Sequence, residues 1–96
     1  MYAIAFDLDT QKLQELYGSP SWQNAYKEIG DVLCEAGFQR KQGSVYFGDM
    51  QKVNSVTCTL VTQKLARKYP WFASSVKDIQ MLRIEEDSDL SPALEV

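Results

Sequence analysis

The 96-residue chain is predicted to form one α+β domain, a ferredoxin-like βαββαβ sandwich with two helices on one face of a four-stranded antiparallel sheet. Three observations predict it. Residues 2–8 alternate, with Tyr2, Ile4, Phe6 and Leu8 on one face and Ala3, Ala5 and Asp7 on the other. Two stretches, near 22–36 and 53–69, repeat apolar residues at helical spacing. Strand-like runs on either side of Gln42-Gly43 fall between those stretches, and one more follows the second.

The elements follow in order. The first strand presents a bulky face suited to helix packing and a small face ending in a carboxylate, Asp7. Residues 9–18 are polar with a weak helical pattern at Leu13, Leu16 and Tyr17, which predicts a loop with a short helical turn. Ser19-Pro20 reads as an N-cap followed by proline at the first helical position. Trp22, Ala25, Tyr26, Ile29, Val32, Leu33 and Ala36 then recur at helical spacing, and Gly37 closes the helix as its C′ residue. Phe38 to Lys41 and Ser44 to Phe47 make a short hairpin. Val53, Val56, Leu60, Val61, Leu65 and Tyr69 mark the second helix, stopped by Pro70. Trp71 and Phe72 lie in a short irregular segment before a last strand over 78–85. Residues 1–86 are expected to form the domain and 87–96 an acidic C-terminal tail or dimer-pairing segment.

In this plan the sheet face away from the helices is bare. Apolar residues there would be costly in water, and pairing two copies would cover them. An isologous homodimer is therefore expected.

Composition narrows the chemistry. Net charge is −3, but five of the thirteen acids lie in the last twelve residues, so residues 1–84 carry a small positive excess. That argues against a general nucleic-acid binder and leaves room for a local patch. Cys34 and Cys58 are too few for a disulfide framework or a zinc site and are expected as two buried thiols. No apolar run is long enough for a membrane span, and the first residues show no basic, cleavable leader, so a cytoplasmic protein is expected. The absence of histidine removes Ser-His-Asp and Cys-His arrangements. There is no phosphate-binding glycine loop and no dinucleotide fingerprint.

Asp7 stands out as a candidate catalytic carboxylate at the end of the first strand. Two copies facing each other across a dimer axis would suit Mg²⁺, which takes oxygen ligands and can orient a nucleophile at a phosphate. The plainer reading is that Asp7, with Asp9, ends a strand and caps the next turn. Arg40, Lys41, Ser44 and Tyr46 around the hairpin offer charge, a hydroxyl and an aromatic plane to a nucleotide. The plainer reading there is a solvated hairpin tip with Tyr46 packed on a neighbouring strand. Lys64, Arg67 and Lys68 complement the dipole at a helix C-terminus, which suffices to explain them.

Several segments together resemble the bacterial virulence-associated protein D family. They are Met1 to Leu8, Ala25-Tyr26 with Ile29, Gly37-Phe38, Gln42-Gly43-Ser44 with Tyr46, Trp71, Ser75-Val76 before Asp78-Ile79, Arg83, and Ser88-Asp89. Residues 49–69 match in helical pattern only, and Leu90 to Leu94 depart from the aromatic-containing ending of relatives. The resemblance implies a ferredoxin-like homodimer with endoribonuclease activity, related to the small CRISPR-associated nuclease subunit of spacer acquisition. It also implies, for some members, a toxin paired with a small antitoxin protein. It carries Asp7, already the candidate metal ligand, over as the candidate active-site carboxylate, with Ser44 and Tyr46 as its neighbours. Arg40 and Lys41 are the residues expected on RNA phosphate, with Tyr46 stacking on a base. The competing expectation is a dimeric module that binds RNA or protein without cleaving it, and a weaker one is a small-ligand sensor.

Overall fold

Strand β1 (Tyr2–Leu8) lies inside the sheet with a neighbour on each side, in a computed structural model that describes residues 1–95. It pairs antiparallel with β3 (Val45–Gly48) and with β4 (Val76–Arg83), while β2 (Phe38–Gln42) pairs with the outer side of β3. The strand order is β2-β3-β1-β4 in a four-stranded antiparallel sheet, the order of the split βαβ plan.

Alternation decides the layers. Ile4, Phe6 and Leu8 are buried in one cluster with Phe38 and Tyr46 from the sheet. Helix α2 (Asn24–Glu35) adds Ala25, Ile29, Val32 and Leu33 to that cluster, and helix α3 (Ser55–Lys68) adds Cys58, Val61 and Leu65. Both helices therefore pack on the same face. On the other face Val45 and Phe47 are half-buried, and Asp7, Asp78, Gln80 and Leu82 are exposed. Ala3 is fully covered there between Phe47 and Leu82, its partners on the two flanking strands.

Local chemistry explains the boundaries. Asn54 caps α3: its side chain accepts from Thr57 N at 3.0 Å, and Thr57 Oγ1 accepts from Asn54 N at 3.2 Å. Gly37 follows α2 with φ of 103°, a conformation that a β-carbon disfavours.

Four expectations change. Residues 10–17 form a regular helix, α1 (Thr10–Tyr17), rather than a loop with one turn. Its periodicity is faint because it buries only Leu13, and Asp9 caps it by accepting from Lys12 N at 3.1 Å. Ser19-Pro20 does not start α2. Ser19 Oγ accepts from Ser21 N two residues on, and Asn24 N and Ala25 N bond back three residues to Ser21 and Trp22, so turns precede the helix. The last strand begins two residues early, at Val76, after a short helix α4 (Phe72–Ser75) that buries Trp71 and Phe72 at the base of the core. Cys34 is exposed, unlike Cys58, because it falls on the solvent side of the α2 stripe set by Ile29, Val32 and Leu33.

Beyond β4, Ile84 N donates to the Met1 carbonyl at 2.7 Å, and Ser91–Leu94 make one 3-10 turn. Residues 86–95 add no strand to the sheet, and Val96 lies outside the described residues.

Candidate functional site

Asp7 is the last outward-facing residue of β1 and is exposed on the open face of the sheet. The β1–β4 register puts Asp78 directly opposite it. The pairing then shifts, with Leu8 opposite Val76, so Lys77 has no partner in the ladder and the strand bulges beside the two acids. Directly opposed like charges destabilise a sheet, so this pair is retained at a cost. Asp78 is steadied by Gln80, whose Nε2 donates to Asp78 Oδ1 at 2.8 Å. Asp7 and Asp78 are the residues here that could hold Mg²⁺, an ion bound by one or two carboxylates that otherwise keeps water and substrate oxygens. No group of three metal-ligating side chains occurs among the described residues, so a self-sufficient metal cage is not present there.

A cleft of about 630 Å³ opens between α2 and the β2–β3 hairpin, lined by Tyr26, Asp31, Arg40, Ser44 and Tyr46 among others. The hairpin orders two of these. Arg40 Nε donates to the Gly43 carbonyl at 2.8 Å, and the Ser44 carbonyl accepts from Phe6 N at 3.1 Å, which ties the hairpin tip to β1. Asp31 is paired with Lys27 at 2.8 Å on the exposed flank of α2.

Tyr46 is 5% exposed, stacked on Phe6 with centroids 6.2 Å apart. A β-carbon on Gly30 would come within 2.6 Å of its hydroxyl, so the missing side chain makes room for the phenol. The ring plane is thus taken up by the core, and the expected stacking of Tyr46 on a base is corrected: it can offer only its hydroxyl edge. Burial is the main cause of its raised pKa, with the nearby Cys34 and Asp31 adding and Arg40 opposing. Tyr26 is raised above the ordinary phenol value by burial and then by the charge of Asp7. Asp7 itself lies outside the lining of the cleft.

Lys41 does not join Arg40 in this cleft. It falls where the β2–β3 pairing shifts between Arg40 and Gln42, and its ammonium lies 5.3 Å from the Phe47 ring centroid on the open face. It also pairs with Asp87 at 3.5 Å. The structure thus gathers Arg40, Ser44 and Tyr46 in one cleft and leaves Asp7 and the Lys41 ammonium on the open face, outside its lining.

Two residues escaped the sequence reading. Tyr26 shares the helical spacing of Ala25 and Ile29 and so reads as core. Asp78 reads as the polar start of a strand, and only the register shows that it faces Asp7.

No family model matches the chain. Curated relatives do, over nearly their whole length. Endoribonuclease VapD 2 of Riemerella anatipestifer is 54% identical over 94 residues, covering 98% of this chain and 99% of the relative. A protein named endoribonuclease VapD homolog in Helicobacter pylori is 46% identical over 96 residues, covering 100% of this chain and 98% of the relative. Endoribonuclease VapD of Dichelobacter nodosus is 42% identical over 91 residues, covering 95% of this chain and 94% of the relative. Identity of this extent over nearly the whole of both chains shows that the chain belongs to the endoribonuclease VapD family.

Proposed function

We propose that the protein is an endoribonuclease that cleaves single-stranded RNA, built as a ferredoxin-like homodimer in the cytoplasm. The observation that carries it is the opposition of Asp7 and Asp78 on the open face of a sheet whose hairpin also builds a cleft holding Arg40, Ser44 and Tyr46. The names of the relatives support the same activity.

The roles follow from placement. Asp7 takes the proton of the attacking oxygen, or with Asp78 holds Mg²⁺. Bound there, Mg²⁺ would neutralise charge on the scissile phosphate. The Arg40 guanidinium sits where it can meet a phosphate, and the Ser44 and Tyr46 hydroxyls can donate to the same group. Tyr46, like any phenol, is protonated at neutral pH and can donate. Lys41 would contact the RNA backbone farther along, on the other side of the hairpin.

The open face supports the dimer. Val45, Phe47 and Leu82 leave an apolar area there that a second copy would cover, bringing the two Asp7–Asp78 pairs onto one surface. A small antitoxin is a further partner, masking the same region in a toxin–antitoxin pair.

The test is Asp7→Asn, assayed on labelled RNA. Cleavage is expected to fall about 100-fold or more, with the circular dichroism spectrum and the sedimentation behaviour unchanged. Undiminished cleavage by a folded variant would refute the role of Asp7. Binding of RNA by wild type without any cleavage would establish the non-catalytic module instead.

A further inference from the structure

A second cleft, of about 680 Å³, runs along the outer edge of β2 and is lined by Arg40, Lys41, Lys52, Asp49 and Asp87 among others. Arg40 and Cys34 line both clefts, so the path from Ser44 to this edge is continuous. Three cations face the second cleft. Of the two acids there, Asp49 is already engaged: its Oδ1 accepts from Gln51 N at 2.8 Å and from Lys52 N at 3.1 Å, closing the turn after β3.

The other acid comes from the tail. Asp87 Oδ2 lies 3.5 Å from Lys41 Nζ. Asp89 follows two residues later, its carboxyl held below the usual carboxylate range by the Ser91 amide and hydroxyl, with Lys41 contributing. The chain therefore seats its own oxyanions against the ammonium group of this cleft. Both partners of the Lys41–Asp87 pair remain open to solvent, at 53% and 39% side-chain exposure. Such a pair is weak and screened by salt, so a competing anion can displace it.

We propose that the edge cleft is a second phosphate subsite for the RNA strand, using Lys41 and Lys52, and that Asp87 of the acidic tail occupies it until RNA displaces the carboxylate. The proposal rests on the nuclease reading above and names how its substrate is held outside the cleavage site. The tail then acts as a built-in competitor, which raises the RNA concentration needed for binding without touching the groups that cut.

The test uses the full-length protein and a fluorescently labelled single-stranded oligoribonucleotide. Anisotropy is read before cleavage products accumulate, at about 50 and about 200 mM salt, a range over which phosphate contacts weaken strongly. Asp87→Asn is expected to tighten binding about threefold at the lower salt. Lys52→Ala is expected to weaken it by a similar factor and to lessen the slope of log affinity against log salt by about 0.7. Asp87→Asn in a Lys41→Ala background should give no gain. An equal gain in that background would mean only a change of net charge and would overturn the competition. Unchanged binding by Lys52→Ala would overturn the subsite. Wild-type protein that binds no RNA would remove the nuclease reading and this one with it, whereas normal wild-type binding with an inert Asp87→Asn removes this one alone.

Discussion

On the helix side of the sheet, Ile4, Phe6 and Tyr46 are packed beneath α2 and α3, whereas on the opposite side Asp7, Asp78 and Leu82 meet solvent. The covered side follows from hydrophobic periodicity, since each of its strand and helix residues recurs at its element's own spacing. The open side has acids opposed across a strand pair, an ammonium on an aromatic ring and apolar residues left uncovered. The opposed acids and the uncovered apolar residues do not help a lone subunit fold, whereas the ammonium on the ring stabilises it only modestly. The candidate cleft belongs to the packed side, drawing Phe6 and Tyr46 from the sheet and Tyr26 and Gly30 from α2, and Asp7 lies outside its lining.

The largest expected contrast is between two leucines. Leu33 is fully buried and Leu82 is 42% exposed. Leu33→Ala should cost about 2–5 kcal/mol in urea unfolding, because a cavity adds to the lost transfer energy. Leu82→Ala should change stability by less than about 0.5 kcal/mol in a monomer. A loss at Leu82 that grows with protein concentration would show a second subunit covering the open face.

A smaller effect is expected where the cleft meets the core. Alanine at Gly30 gains helix propensity but brings its β-carbon into the Tyr46 hydroxyl. Overpacking should win in Gly30→Ala, with a net loss of about 1 kcal/mol. In a Tyr46→Phe background the clash is relieved, and the same substitution should become neutral or stabilising by roughly 0.5 kcal/mol. A loss of equal size in both backgrounds would show that Tyr46 does not determine the need for glycine.

The smallest effect concerns alkaline pH. Tyr26 and Tyr46 both have raised folded-state pKa values. In the unfolded chain they ionise near pH 10, so the folded state binds more protons above that pH. Their contribution to stability is complete below about pH 10 and is lost as pH rises through the folded values. Denaturation midpoints should fall above about pH 10, and less steeply in Tyr26→Phe. Ultraviolet titration of the native protein should show three phenols lagging behind free tyrosine, Tyr26 and Tyr46 through burial and Tyr17 through its hydrogen bond to Glu28.

Sequence alone determined the layer assignment and most of the fold. The parity of Ile4, Phe6 and Leu8 and the stripe of Ile29, Val32 and Leu33 can be buried in only one arrangement, because side-chain direction is set by backbone period. The first turn after β1 was harder to read, since α1 is anchored by Leu13 alone and a single apolar residue has no period. Of the candidate site, residue types and chain order pointed to Asp7, Arg40, Ser44 and Tyr46. Only tertiary structure decided their grouping. Asp78 meets Asp7 through strand register, Lys41 parts from Arg40 at a shift in the hairpin ladder, and Tyr46 spends its ring on Phe6. The β1–β4 register joins strands far apart in the chain, and the bulge in the hairpin breaks the alternation that its spacing implies, so neither is read from residue spacing alone.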